Sequence, residues 1–364
     1  MRRNGRVADA LLALLSRDWV GVPVAVLVLV VGVGVGLVGG GAGWLVALGC
    51  LVVAAGVVLA VGAARHLVLV GRGAGAGGAP GRLVGVGGRR MHVLAEGVAG
   101  DGPTVVWMPG GHAPGEEFGQ LHAMMAARTR SVLVDRFGSG WSDVGPFPRT
   151  TAAEAEELVA ALEAAGERGP YVFVGHSFGG LLVANAARRR PDVVAGLVLL
   201  DPTPLEVIAF APPNRLVAGM RRDFLLTAVR HLFGVHRGRG RGGRTGHFCA
   251  AASIFAELSP TGLAEVGWET VVYDGDLGDL PLVLVIPRDL TGGDTVLAAA
   301  RDAAEAERIG RFYLGARTRY LAASTASRVV HTPAGTGHDF PTEEPGFVVG
   351  VVADLLSELR GLSP

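Results

Sequence analysis

Hydrophobic and polar positions divide the chain at about residue 82. From Trp19 to Ala64 no charged side chain interrupts a run of Val, Leu, Ala and Gly. A bilayer-spanning helix takes about 20 apolar residues, so the run holds two spans, at about 19–38 and 44–64, turning at Gly39-Gly40-Gly41-Ala42-Gly43. In lipid every backbone polar group must bond within its own segment, which enforces helix even on a sequence rich in Val and Gly. Residues 1–70 are therefore predicted to form a membrane anchor shaped as a helical hairpin, with Trp19 and Trp44 at the interface. Arg2, Arg3, Arg6 and Arg17 precede the run, Arg65 and Arg72 follow it, and the turn carries none. That distribution predicts a two-span protein of the cell membrane with both flanks in the cytoplasm. A single span or signal anchor, which would put the rest of the chain outside, is the alternative. Residues 71–81, Gly-Arg-Gly-Ala-Gly-Ala-Gly-Gly-Ala-Pro-Gly, have the composition of a flexible linker.

Beyond the linker, short apolar runs alternate with helical stretches, the pattern of an α/β fold with a mostly parallel central sheet flanked by helices. Strands are expected at Met91–Leu94, Thr104–Met108, Ser131–Asp135, Tyr171–Val174, Gly196–Leu200, Pro281–Ile286 and Arg328–Thr332, with helices at Thr151–Ala165, Gly180–Arg190 and Pro345–Leu359. Residues 202–280 break the alternation and are too long for a loop. They include Arg215–Val235, apolar at helical spacing with Arg221, Arg222 and Arg230 off the stripe. The predicted organisation is thus a core of residues 82–201 and 281–364 with a helical insertion at 202–280.

Composition changes this picture little. The chain has 364 residues, 57 of them glycine, and its 33 basic residues are all arginine against 33 acidic ones. Zero net charge gives no reason to expect nucleic acid as a partner. Cys50 and Cys249 form neither a disulfide framework nor a metal-ligand cluster.

Candidate chemistry centres on Gly175-His176-Ser177-Phe178-Gly179. A serine hydroxyl becomes a nucleophile only when a base takes its proton and donors stabilise the resulting oxyanion. In so glycine-rich a chain the five residues alone are a weak signal. Their context is stronger, because Tyr-Val-Phe-Val leads in as a strand and Gly180 to Arg190 leads out as a helix. The base is expected on a loop after the last strand, where His338 stands in Gly335-Thr336-Gly337-His338-Asp339-Phe340. A carboxylate must fix the imidazole tautomer, and two strand-end residues compete for that place, Asp201 and Asp289.

Residues 82 to 360 resemble the α/β-hydrolase superfamily. The likeness rests on Gly-His-Ser-Phe-Gly-Gly, on Asp135-Arg-Phe-Gly-Ser-Gly-Trp-Ser-Asp143, on Leu-Val-Leu-Leu-Asp-Pro and on Gly-Thr-Gly-His. It implies Ser177 as nucleophile and His338 as base. The acid is Asp201, as in members that use the earlier strand, with Asp289 the alternative, since Asp289 arrives a residue early and lacks the usual preceding glycine. The resemblance also implies an oxyanion hole from the amides of Phe178 and Gly111, with His112 the alternative donor, and a cap formed by 202–280. The expected activity is hydrolysis of a carboxylic ester or related acyl substrate, small or lipophilic, through an acyl-serine, with no cofactor and no metal. An acyltransferase, a peptidase or a carbon–carbon hydrolase would use the same triad. A noncatalytic, membrane-tethered binding protein would keep the fold without it. The lipid bilayer is the other expected partner; protein partners are not indicated.

Overall fold

The computed structural model describes residues 2–40, 42–75, 79–100, 102–111, 113–204, 222, 226, 229–230, 232–235, 274–288 and 300–361. Three helices open the chain: α1 (Arg2–Leu15), α2 (Gly21–Val38) and α3 (Gly43–Gly75). Residues 18–38 and 43–68 are each long and apolar enough to cross a membrane. They present their apolar side chains outward, with Leu27, Val30, Leu51 and Val58 each more than 60% exposed. α2 and α3 pack as an antiparallel pair through small residues: a Cβ on Gly49 would lie 2.6 Å from the Gly36 backbone nitrogen, and one on Gly32 would lie 2.7 Å from that of Val53. α3 continues to Gly75, five residues into the stretch expected to be linker. An established helix propagates one bond per residue through poor formers, and no proline intervenes before Pro80.

The remaining elements are β1 (Arg82–Val86), β2 (Arg89–Glu96), β3 (Thr104–Met108), α4 (Gly119–Ala126), β4 (Ser131–Asp135), α5 (Thr151–Ala164), β5 (Tyr171–His176), α6 (Phe178–Arg189), β6 (Val194–Leu200), β7 (Leu282–Ile286), α7 (Ala303–Thr318), β8 (Ser327–His331), α8 (Phe340–Glu343) and α9 (Pro345–Gly361). The strands form one eight-stranded sheet in the order β1-β2-β4-β3-β5-β6-β7-β8. β1 and β2 are antiparallel to their neighbours, and every later pairing is parallel.

The central strands are apolar throughout because both faces are covered. Leu197 and Leu199 of β6 point into a core shared with α5 and α6, whereas Val198 and Leu200 point into a second core shared with α4 and α9. Thr150 caps α5 by accepting a hydrogen bond from the Ala153 amide at 2.9 Å, which ends the preceding loop and starts the helix. β1, α4 and α7 are among the elements absent from the sequence expectation. β1 is an edge strand interrupted by Gly85, and α4 has only eight residues. α7 is highly charged, but Asp302-Ala-Ala-Glu305 is a legible start signal: the Asp302 side chain accepts from the Glu305 amide at 2.7 Å.

Parallel topology brings the carboxyl ends of β3 to β8 to one edge, and the N-terminal helices meet the same edge. His66 of α3, fully buried, lies 3.1 Å from Asp18 in the turn between α1 and α2. A cavity of about 960 Å³ opens between Ala10, Arg17, Trp19 and Leu67 on the anchor side and Arg89, Asp143 and Phe147 on the core side. A piece of the insertion also rests on the anchor, since the Phe233 carbonyl sits where a Cβ on Gly62 would be 2.4 Å away.

The close approach of α2 and α3 has a direct test. Gly49→Val is expected to lower the thermal midpoint of the detergent-solubilised protein by several degrees, at a cost of about 1–3 kcal/mol. Gly34→Val, whose added Cβ meets nothing within 4 Å, is expected to leave it unchanged.

Candidate active site

β5 delivers its last residue, His176, into a sharp turn at Ser177, and α6 starts one residue later. Ser177 has φ 52° and ψ −122°, so it is held in a backbone region that costs a non-glycine residue about 1–3 kcal/mol. The flanking glycines are required by contact: a Cβ on Gly175 would lie 2.5 Å from the Gly179 carbonyl oxygen, and one on Gly179 would lie 2.4 Å from that of Met108. Neighbouring strands clamp the turn, with the Ser177 amide donating to the Leu200 carbonyl at 3.0 Å and its carbonyl accepting from the Thr203 amide at 2.9 Å.

Asp201 follows β6, the strand beside β5, and is the other described non-glycine residue with a positive φ, 44°. Its amide donates to the Val285 carbonyl at 2.7 Å and its carboxylate is wholly buried. Oδ2 accepts a 2.5 Å hydrogen bond from His338 Nδ1. Oδ1 forms a 2.8 Å ion pair with Arg317 of α7, whose guanidinium stacks 4.1 Å from the Tyr313 ring centroid. His338 lies on the loop after β8 and is partly exposed. Its carbonyl accepts from His176 Nε2 at 2.9 Å, and the two rings lie 4.5 Å apart.

Ser177, His338 and Asp201 therefore share one edge of the sheet. Ser177 Oγ is 3.3 Å from Thr203 Oγ1, and no hydrogen bond joins it to His338 among the described residues. Asp289 and His112 lie outside the described residues. Phe178 follows the serine directly, and Gly111 follows the glycine that approaches it. Gly110 passes so near that a Cβ on it would be 2.9 Å from Ser177 Cβ, and Gly111 has φ 45°. Its N–H has no hydrogen-bond partner among the described residues. Phe178 is the first residue of α6, where backbone amides face an incoming anion. His331, in the exposed edge strand β8, takes no part. Sequence reasoning missed Thr203, Arg317 and the contact between His176 and His338, none of which leaves a local signature.

The strand order, the turn and the pairing of residues 201 and 338 now bear on identity. A family described as alpha/beta hydrolase fold matches residues 109–242. The carboxylesterase CesB of Bacillus subtilis superposes with a TM-score of 0.53 at 18% identity, over 81% of this chain and 98% of that one. The chain has the α/β-hydrolase fold. Its sequence is 53% identical over 55 residues to the lipase LipV of Mycobacterium tuberculosis, 15% of this chain and 21% of that one. It is 31% identical over 105 residues to the 2-(acetamidomethylene)succinate hydrolase of Mesorhizobium japonicum, 29% of this chain and 37% of that one. The chain thus spans well under half the length of the curated relatives it matches. Within this α/β-hydrolase fold, Ser177 occupies the strand-to-helix turn after β5.

The two histidines are poised in opposite senses. Burial pushes His176 down to about 3, and the neighbouring His338 adds to that shift. Burial also disfavours charge on His338, but the hydrogen bond and charge of Asp201 outweigh it and hold the imidazole above its ordinary value. An NMR titration of the ring nitrogens is expected to show His338 changing charge above about 6.5 and His176 remaining neutral well below pH 5. An unfolded chain protonates His176 near its ordinary value and the folded one does not. The contribution of His176 to stability therefore falls as pH drops below about 6.5, whereas that of His338, held above its ordinary value, is lost as pH rises.

Proposed function

We propose that the protein is a membrane-anchored serine hydrolase that cleaves a carboxylic ester, or a related acyl compound, through an acyl-Ser177 intermediate. The observation that carries this is the 2.5 Å hydrogen bond from His338 to the buried Asp201, beside the strained turn that presents Ser177. In the proposed reaction Ser177 Oγ adds to the substrate carbonyl while His338 Nε2 takes its proton, and Asp201 holds Nδ1–H and supports the imidazolium that forms. The amides of Gly111 and Phe178 receive the oxyanion. His338 then protonates the leaving alcohol, and water, activated by the same imidazole, releases the acid. Ser177 Oγ lies 3.3 Å from Thr203 Oγ1, and the proposed reaction requires it to turn to His338.

Membrane attachment is supported by the outward-facing apolar surface of α2 and α3 and by Trp19 and Trp44 at the ends of the hairpin. The anchor, the fragment of the insertion at Leu232–Gly234 and the carboxyl edge of the sheet adjoin one another. We therefore place the substrate among lipophilic esters that arrive from the bilayer, with residues 202–280 as the cap and the catalytic domain in the cytoplasm.

A fluorophosphonate probe applied to membranes is expected to label the wild type and not Ser177→Ala; equal labelling of the two would exclude Ser177 as the nucleophile. Asp201→Asn is expected to lower kcat by about 10⁴ through the wrong imidazole tautomer, while KM stays within a few fold. The protein is expected to stay in the membrane pellet on alkaline carbonate extraction. On reconstituted protein kcat/KM should rise with acyl chain length across a series of p-nitrophenyl esters.

A further inference from the structure

We propose that Arg136 is a positioning residue for the oxyanion hole, holding the Gly110–Gly111 peptide with its N–H towards Ser177, an assignment that rests on the serine-hydrolase function proposed above. Arg136 follows β4 and is buried, with 5% of its surface exposed. Its Nη2 donates to the Gly110 carbonyl at 3.3 Å and, more closely, to the Gly111 carbonyl. The Gly110 carbonyl also accepts from the Ala113 amide at 3.0 Å.

A trans peptide is planar, and its C=O and N–H point in opposite directions. The Gly110 carbonyl belongs to the same peptide as the Gly111 N–H. Pinning that oxygen to the guanidinium therefore turns the N–H away from Arg136, and Gly110 itself lies against Ser177. Gly111, at φ 45°, leaves the Gly110–Gly111 peptide free to flip where a larger residue would not, so a restraint on the Gly110 carbonyl is needed to keep one orientation. The N–H so directed is the donor left without a partner among the described residues. A cation on the carbonyl also polarises the peptide and makes its N–H a stronger donor.

The same guanidinium lies 5.6 Å from the ring centroid of Phe178, whose amide is the other proposed donor. One side chain thus meets the glycine carbonyls and the ring of the residue that supplies the other proposed donor. Burying a cation there is costly. Its counter-charge, Glu154, is 3.7 Å away and shared with Arg149 at 3.3 Å, Arg136 Nε has no partner among the described residues, and burial pulls the guanidinium below its ordinary value. A side chain needed only to fill space would not require the charge.

The test uses the full-length protein in nanodiscs, with ester kinetics, affinity for a trifluoromethyl ketone analogue of the substrate, and thermal midpoints. Arg136→Met is expected to lose about 10²–10³ in kcat with KM nearly unchanged. Affinity for the ketone, which forms the oxyanion, should fall in proportion to kcat/KM. Arg136→Lys, able to bind a carbonyl through one donor, is expected to recover part of both. Arg149→Met disturbs the neighbouring buried charges without touching the glycine carbonyls, so it should lower the midpoint and spare kcat. If Arg136→Met or, should that variant not fold, Arg136→Lys keeps wild-type kcat and ketone affinity while the wild type reacts at Ser177, the positioning role is wrong and the hydrolase function stands. A wild type that neither hydrolyses esters nor reacts at Ser177 overturns both.

Discussion

The carboxylate of Asp201 is the point on which the candidate site hangs. It is wholly buried, and one oxygen faces the Arg317 guanidinium while the other accepts from the His338 imidazole. A lone carboxylate in such a place would be too costly to remain charged, and its partners make the charge tolerable. The dependence runs both ways. Arg317 of α7, just before β8, and His338, just after it, come to one place because both meet the same anion. Removing one member of a buried ionic group leaves the others uncompensated, which typically destabilises by about 3–5 kcal/mol. The group therefore ties the carboxyl end of β6 to the last third of the chain.

Strain and sheet order act together around that anion. Ser177 and Asp201 are the described non-glycine residues with positive φ, and they stand at the ends of two adjacent parallel strands. Each is clamped by the next strand along, Ser177 by Leu200 and Asp201 by Val285. Tight backbone bonds of this kind hold a turn in a region it would leave if free. The result is a partly exposed serine at the same sheet edge as the buried carboxylate and its histidine, with Gly110 passing close to it.

The anchor gives this edge of the sheet an unusual neighbourhood. Three segments converge there: the turn between α1 and α2, the second half of the loop after β4, and the Leu232–Gly234 fragment. Small residues on α2 and α3 admit the backbone contacts involved, which larger side chains would forbid. The proposed route for a lipophilic substrate needs no long transit through water, because the hairpin and the candidate site lie at the same end of the fold.

Much of this was legible along the chain because it is local. An uncharged run of more than forty residues in water would be intolerable as anything but buried or lipid-facing structure, so the hairpin follows from composition alone. Strand, serine and helix in direct succession specify the Ser177 turn, and a histidine after the last strand falls at the edge where parallel strands end. The start of the linker was misjudged, since a helix already formed runs past the apolar residues that begin it. Other features were out of reach from sequence because their partners are distant: Ser177 and Thr203 are 26 positions apart, and Arg136 and Gly111 are 25 apart. Sequence determined which residue types stand at the strand ends. Only the tertiary structure decided which of them touch, because strand order and the direction of buried side chains are set by packing across the whole sheet.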